Sequence, residues 1–94
     1  MSKTKIITQV QKIDEMIKVL EDACTYMEWC TKEVDKAIEA RVAQGFPEDK
    51  ANDYKDTHWN SAKGQVDKAA SAIRTAHIPY LIKVKEPLLR ILSM

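Results

Sequence analysis

The sequence predicts an all-α protein: a long antiparallel helical hairpin of coiled-coil type, with a short C-terminal amphipathic helix after a proline break, assembling into a helical bundle. Three observations carry this expectation. A heptad spacing runs unbroken through the first half of the chain. A helix-stop and helix-start signal stands at the midpoint. A second apolar series of similar spacing follows. Gly45, Gly64 and three prolines are too little punctuation for an all-β fold. A chain of 94 residues is expected to form one domain, spanning 1–94.

The first helix is predicted over about 4–44. Its apolar series is Ile6, Val10, Ile13, Ile17, Leu20, Cys24, Met27, Thr31, Val34 and Ile38, with steps alternating four and three. Such a seam winds left-handed around a partner helix. Ala23, Cys30, Ala37 and Met16 widen the stripe on one side, and Asp14, Glu21, Glu28 and Asp35 form an acidic column on the other. Four acids in register read as a solvated flank rather than a catalytic array.

Then comes GFPEDK. Gly45 suits a left-handed helix cap, Pro47 the first position of a new helix, and Glu48 and Asp49 its first turn. The turn is placed at 45–47 and the second helix at about 47–77, with the seam Trp59, Ala62, Val66, Ala69, Ile73, Ala76 and Tyr80. Folding at the turn sets Val34 against Trp59, Met27 against Val66, Leu20 against Ile73 and Ile13 against Tyr80. Pro79 is expected to end or kink this helix by pushing Ile78 out of the helical region. A last helix, about 79–92, gathers Tyr80, Leu81, Val84, Leu88, Ile91 and Leu92 opposite Lys83, Glu86 and Arg90, although LIKVKE also alternates like a strand. The Trp59–Gly64 pair is not the Trp-x-Gly motif of the small helical-hairpin secretion substrates. Their motif occupies the turn, and here the pair lies inside the second helix.

No stretch of spanning length is free of charge, and the first ten residues lack the apolar core of a secretory signal. Two cysteines six apart on one helix point in different directions and cannot bridge. Reduced thiols and a cytoplasmic location are the expectation.

No metal-ligand spacing, phosphate loop or nucleophile set is present. His58 could approach Cys30, but on a helix flank without oxyanion donors, and His77 could approach Asp14 as a modest ion pair. A non-enzymatic protein without metal or cofactor is therefore expected. The net charge of +1 hides a polarity. Lys3, Lys5, Lys12, Lys83, Lys85 and Arg90 meet at the open end of the hairpin, and the turn end is acidic. The basic end is a candidate contact for nucleic acid or an anionic membrane surface, without a base-reading motif.

Tyr26 and Trp29, with Val19 one heptad before, fall on the back of the first helix. Three coverings are considered: a subunit interface, the C-terminal segment folding back, or none. Tyr and Trp favour interface hot spots, and a two-helix hairpin has little core of its own. The expected function is a protein–protein interaction module, a small adaptor, regulatory or inhibitory protein. It would form a homo-oligomer and occupy a macromolecular partner through Val19, Tyr26, Trp29, Leu88 and Leu92. The alternatives are a polyanion binder working through the basic end, or a small-ligand-sequestering oligomer.

Overall fold

Ser2 starts the first arm by accepting the Lys5 backbone N–H on its hydroxyl at 3.3 Å. In the computed structural model, which describes residues 2–94, α1 then runs unbroken over Lys3–Ala43. All ten residues of the predicted seam are buried or half-buried, with Ile6, Ile13, Cys24 and Thr31 the deepest. Thr31 satisfies its hydroxyl by donating to the Glu28 carbonyl at 2.9 Å.

The chain reverses where GFPEDK predicts it. Gly45 takes φ +103°, a backbone conformation that disfavours side-chain-bearing residues. Its N–H bonds the Val42 carbonyl and the Phe46 N–H bonds the Arg41 carbonyl, both at 3.0 Å, which is a Schellman closure. The Arg41 guanidinium sits 5.8 Å from the Phe46 ring centre, over its face. Pro47 is the N-cap, one position earlier than predicted, and Glu48 is the first helical residue.

The second arm is α2 (Glu48–Tyr54), a π turn over Lys55–Trp59, α3 (Asn60–Ala72), a second π turn over Ile73–His77, and α4 (Ile78–Leu92). These join into one 45-residue helical arm lying antiparallel to α1 in a rod of 66 × 19 × 14 Å. The buried and half-buried positions of this arm include Ala51, Lys55, Trp59, Lys63, Val66, Ala70, Ile73, Ile78, Leu81, Lys85, Leu88 and Leu92. Their steps are three or four except from Ile73 to Ile78, where the step is five and the second π turn lies. A π turn holds one more residue than an α turn, so the seam continues in register after it.

The observed seam corrects the predicted one on both sides of that turn: before it Lys63 and Ala70 replace Ala62 and Ala69, and after the added residue Ile78 and Leu81 replace Ala76 and Tyr80. Trp59, Val66 and Ile73 face inward, whereas Ala62, Ala69, Ala76 and Tyr80 are exposed. Ile13 shares a shallow groove with Val84, Pro87 and Leu88, not with Tyr80, and Leu20 shares one with Leu81. Pro79 neither ends the helix nor displaces Ile78, which keeps φ −64° and ψ −49°. The Ile78 N–H reaches back to the Ile73 carbonyl. The wide turn thus lies immediately before the residue that lacks an N–H and would crowd the preceding turn.

The helix predicted over about 79–92 is present as α4, and it lies beside the N-terminal half of α1. Lys85 holds Asp14 there at 2.7 Å. It does not fold back over Tyr26 and Trp29, so that covering is excluded.

Gly64 lies in α3, and a Cβ built there would meet nothing within 4 Å. No close approach requires glycine. Gly64→Ala is expected to stabilise the protein by about 1 kcal/mol, read as a raised urea midpoint with an unchanged slope.

Candidate functional site

The two flanks of the α1 seam differ in chemistry. On the acidic flank, three of the four predicted acids reach across to the second arm: Asp14 to Lys85, Glu28 to Arg74, and Asp35 to Lys63. Asp35 is the most engaged. One carboxylate oxygen accepts the Trp59 indole N–H at 2.6 Å and the other accepts Lys63 Nζ at 2.7 Å. The Lys63 hydrogen bond, then that from Trp59, lowers the Asp35 pKa below its ordinary 3.8, and Asp35 in turn raises Lys63 above 10.5. The acidic column is thus a clasp between the arms.

A depressed carboxyl contributes stability that is present above its unfolded pKa and lost as pH falls through the folded value. A raised ammonium contributes below its unfolded pKa and loses it as pH rises through the folded one. The wild type is therefore expected to melt higher than Asp35→Asn from about pH 5 to 9. The difference should shrink below the ordinary aspartate pKa and above the ordinary lysine pKa, as followed by thermal melts across pH.

The opposite flank is apolar. Met16, Val19, Ala23, Tyr26 and Cys30 follow one another at steps of three, four, three and four, a second seam beside the first. Val19 and Tyr26 are each 65% exposed, Trp29 55% and Met16 47%. The Tyr26 and Trp29 rings stack with centroids 5.9 Å apart and planes at 29°. The Cys30 sulfur, through hydrogen bonding and then charge, raises the Tyr26 pKa above its ordinary 10.0. Toward the open end the strip merges with two shallow grooves, one lined by Met16, Val19, Leu20 and Leu81, the other by Met16, Val84, Pro87 and Leu88.

Of the predicted interface residues, Val19, Tyr26 and Trp29 lie together on this face. Leu88 and Leu92 are half-buried and belong to the seam between the arms. Leu88 also reaches one of the grooves, where Leu81, Val84 and Pro87 supply the rest of the second arm's share; Leu92 lines neither. The extension of the strip through Met16, Ala23 and Cys30 was legible as a stagger of three and four, but only beside an accepted first seam. A further apolar crevice, lined by Ile38, Phe46, Ala51 and Tyr54, sits at the turn. Its signal was Phe46, at the position after the glycine where a Schellman closure takes an apolar contact.

The basic end is partly neutralised. Lys12 pairs with Glu15 at 3.1 Å and Lys85 with Asp14. Lys3, Lys5, Lys83 and Arg90 enter no ion pair among the described residues. His77 does not pair with Asp14, which Lys85 occupies. His58 is exposed, its ring tilted against Tyr54 at 5.6 Å rather than serving Cys30. Cys24 is fully buried with its thiol donating to the Ala70 carbonyl at 3.6 Å, and both cysteines are free. Among the described residues no three His, Cys, Asp or Glu side chains are grouped to hold a metal ion, and no helix is long and apolar enough to cross a membrane. The chain matches no protein-family model, no curated protein and no solved structure.

Proposed function

We propose that this hairpin is a non-enzymatic, cytoplasmic protein–protein interaction module of the adaptor, regulatory or inhibitory kind, acting by occupying a macromolecular partner with its apolar flank. One observation carries the reading: a stacked Tyr26–Trp29 pair, more than half exposed, on a strip that no other part of the described chain covers. Exposed apolar surface that is contiguous, rather than scattered, marks interaction sites. Tyr and Trp lose few rotamers on binding and bury much area, so truncating such anchors costs the most affinity. The clasped acidic flank opposite would stay solvated and orient the module.

The test is affinity capture from the native host with wild type and Tyr26→Ala/Trp29→Ala, each first checked by circular dichroism for an intact helical fold. The expected result is a defined polypeptide retained by the wild type and lost from the variant. Equal retention by both removes the reading.

A second reading rests on Lys3, Lys5, Lys83 and Arg90, four cations at one end without an ion-pair partner among the described residues. They suit weak, salt-sensitive contact with a polyanion, either nucleic acid or an anionic membrane surface. Titration with duplex DNA, single-stranded DNA and anionic vesicles at low salt tests it. Absence of binding to all three ends it.

A further inference from the structure

The apolar flank is self-complementary, and the rod's charge says how. In the columns of the strip the order is Lys12, Met16, Val19, Ala23, Tyr26, Cys30, Glu33, at alternating steps of four and three. Read backwards, the apolar stretch overlies itself about Ala23, and its basic end falls on its acidic end. Ala23 is also near the middle of α1, and hence near the middle of the rod. The whole molecule repeats the pattern. Residues 2–13 and 82–94, at the open end, hold six Lys or Arg against one acid, and residues 33–60, at the turn end, hold seven acids against four bases.

We propose that the strip is covered by a second copy of this chain, packed antiparallel about a two-fold axis near Ala23. This rests on the reading of the flank as an interaction face and names its occupant. In the antiparallel arrangement each basic end lies along the other copy's acidic end. A parallel pair would set like ends together, which costs both affinity and association rate. The small Ala23 leaves room at the axis, and Tyr26 of each copy then packs near Val19 and Ala23 of the other. The contact is isologous, as closed two-fold dimers require.

The area is modest and the charged ends extend it. From Met16 to Cys30, the stretch that overlies itself about Ala23, the face runs about 21 Å at the helical rise. Across the 19 Å width of the rod this outlines roughly 400 Å² per copy before side-chain relief, about half of the roughly 800 Å² per partner of a standard interface, and the oppositely charged stretches on either side lengthen the contact. A second copy also supplies what the single chain lacks, because few side chains are fully buried in it.

Sedimentation equilibrium decides the mass, and thiol cross-linking the direction. The wild type is expected at twice its 10.7 kDa chain mass, with Tyr26→Ala/Trp29→Ala weakening the dimer at least about 30-fold. In the antiparallel pair the two Cys30 thiols are about 21 Å apart along the axis and do not join. In Ala23→Cys/Cys30→Ser the new thiols face each other and are expected to cross-link under mild oxidation, while Cys24 stays buried. Where disulfide geometry is unfavourable, charge exchange replaces it: Lys12→Glu weakens the dimer and Lys12→Glu/Glu33→Lys restores it. Ready cross-linking through Cys30, or no restoration by the exchange, overturns the antiparallel arrangement. A monomer at all concentrations overturns the dimer. If that monomer still loses its captured partner in the Tyr26/Trp29 variant, the interaction reading stands alone; if capture is unchanged, both fall.

Discussion

Ala70→Leu is expected to cost the hairpin about 3 kcal/mol, the upper part of the range for overpacking a filled seam. Ala70 is 4% exposed and faces Cys24, which is not exposed at all, with the Cys24 sulfur 3.6 Å from the Ala70 carbonyl. Only a side chain no larger than alanine leaves the arms this close, and three more heavy atoms must push α1 away or leave their rotamers. The adjacent Ala69→Leu is the control. Ala69 is exposed, so leucine there is expected to change stability by less than about 0.5 kcal/mol. The simple heptad places Ala69 in the seam and predicts the reverse order. Urea denaturation of both variants, followed at 222 nm at one protein concentration, therefore reads the register of the second arm directly.

The second large effect concerns the π turn over Ile73–His77. Deleting the exposed Ala76 shortens the step from Ile73 to Ile78 from five residues to four. An ordinary α turn then keeps Ile78, Leu81, Leu88 and Leu92 on the seam. The proline, however, now stands in a regular helix interior, where its ring meets the carbonyl four residues before it, at a cost of about 3 kcal/mol. The deletion alone is expected to destabilise by about that amount, and the deletion combined with Pro79→Ala to recover it. Deleting Glu86 is different. Every later residue turns by about 100°, Leu88 and Leu92 leave the seam, and Pro79→Ala recovers nothing. Denaturation midpoints of the four variants separate these outcomes. Recovery after the Glu86 deletion would contradict the role given to the π turn.

These two expectations mark where the sequence could be read and where it could not. The first arm was legible from Ile6 to Ile38 because no residue is added or removed in it, so a spacing of three and four maps directly onto one face. The reversal was legible because Gly45 and Pro47 each have a backbone reason to be there. The second arm was legible only in part: Trp59, Val66 and Ile73 are on the seam as predicted, Lys63 and Ala70 were passed over for the adjacent alanines, and after Ile73 an extra residue breaks the spacing while keeping the seam. Ile78–Pro79 was the only cue, and it reads equally well as a break. Lysines hid the seam further. Lys63 and Lys85 occupy seam positions with their stems and reach acids on α1 with their heads, so the positions do not look apolar. The functional face was half visible. Val19, Tyr26 and Trp29 stood out as large apolar residues on the wrong side of a helix. The share of the second arm was assigned to Leu88 and Leu92 from the apolar face of the last helix alone, which does not show that this face packs on α1; both are half-buried in the seam, and only Leu88 also lines a groove.

The claim on which the functional account stands is that the Met16–Cys30 strip is completed by another molecule, in the first instance a second copy. A protein stabilised by self-association melts at a temperature that depends on its concentration, and a monomer does not. Thermal unfolding of wild type and Tyr26→Ala/Trp29→Ala across a hundredfold range of concentration tests this with the least interpretation. The predicted result is a wild-type melting temperature that climbs with concentration and a variant that melts lower when concentrated, with a flatter dependence. A wild-type melting temperature that stays constant across the range, and equals that of the variant, would contradict it.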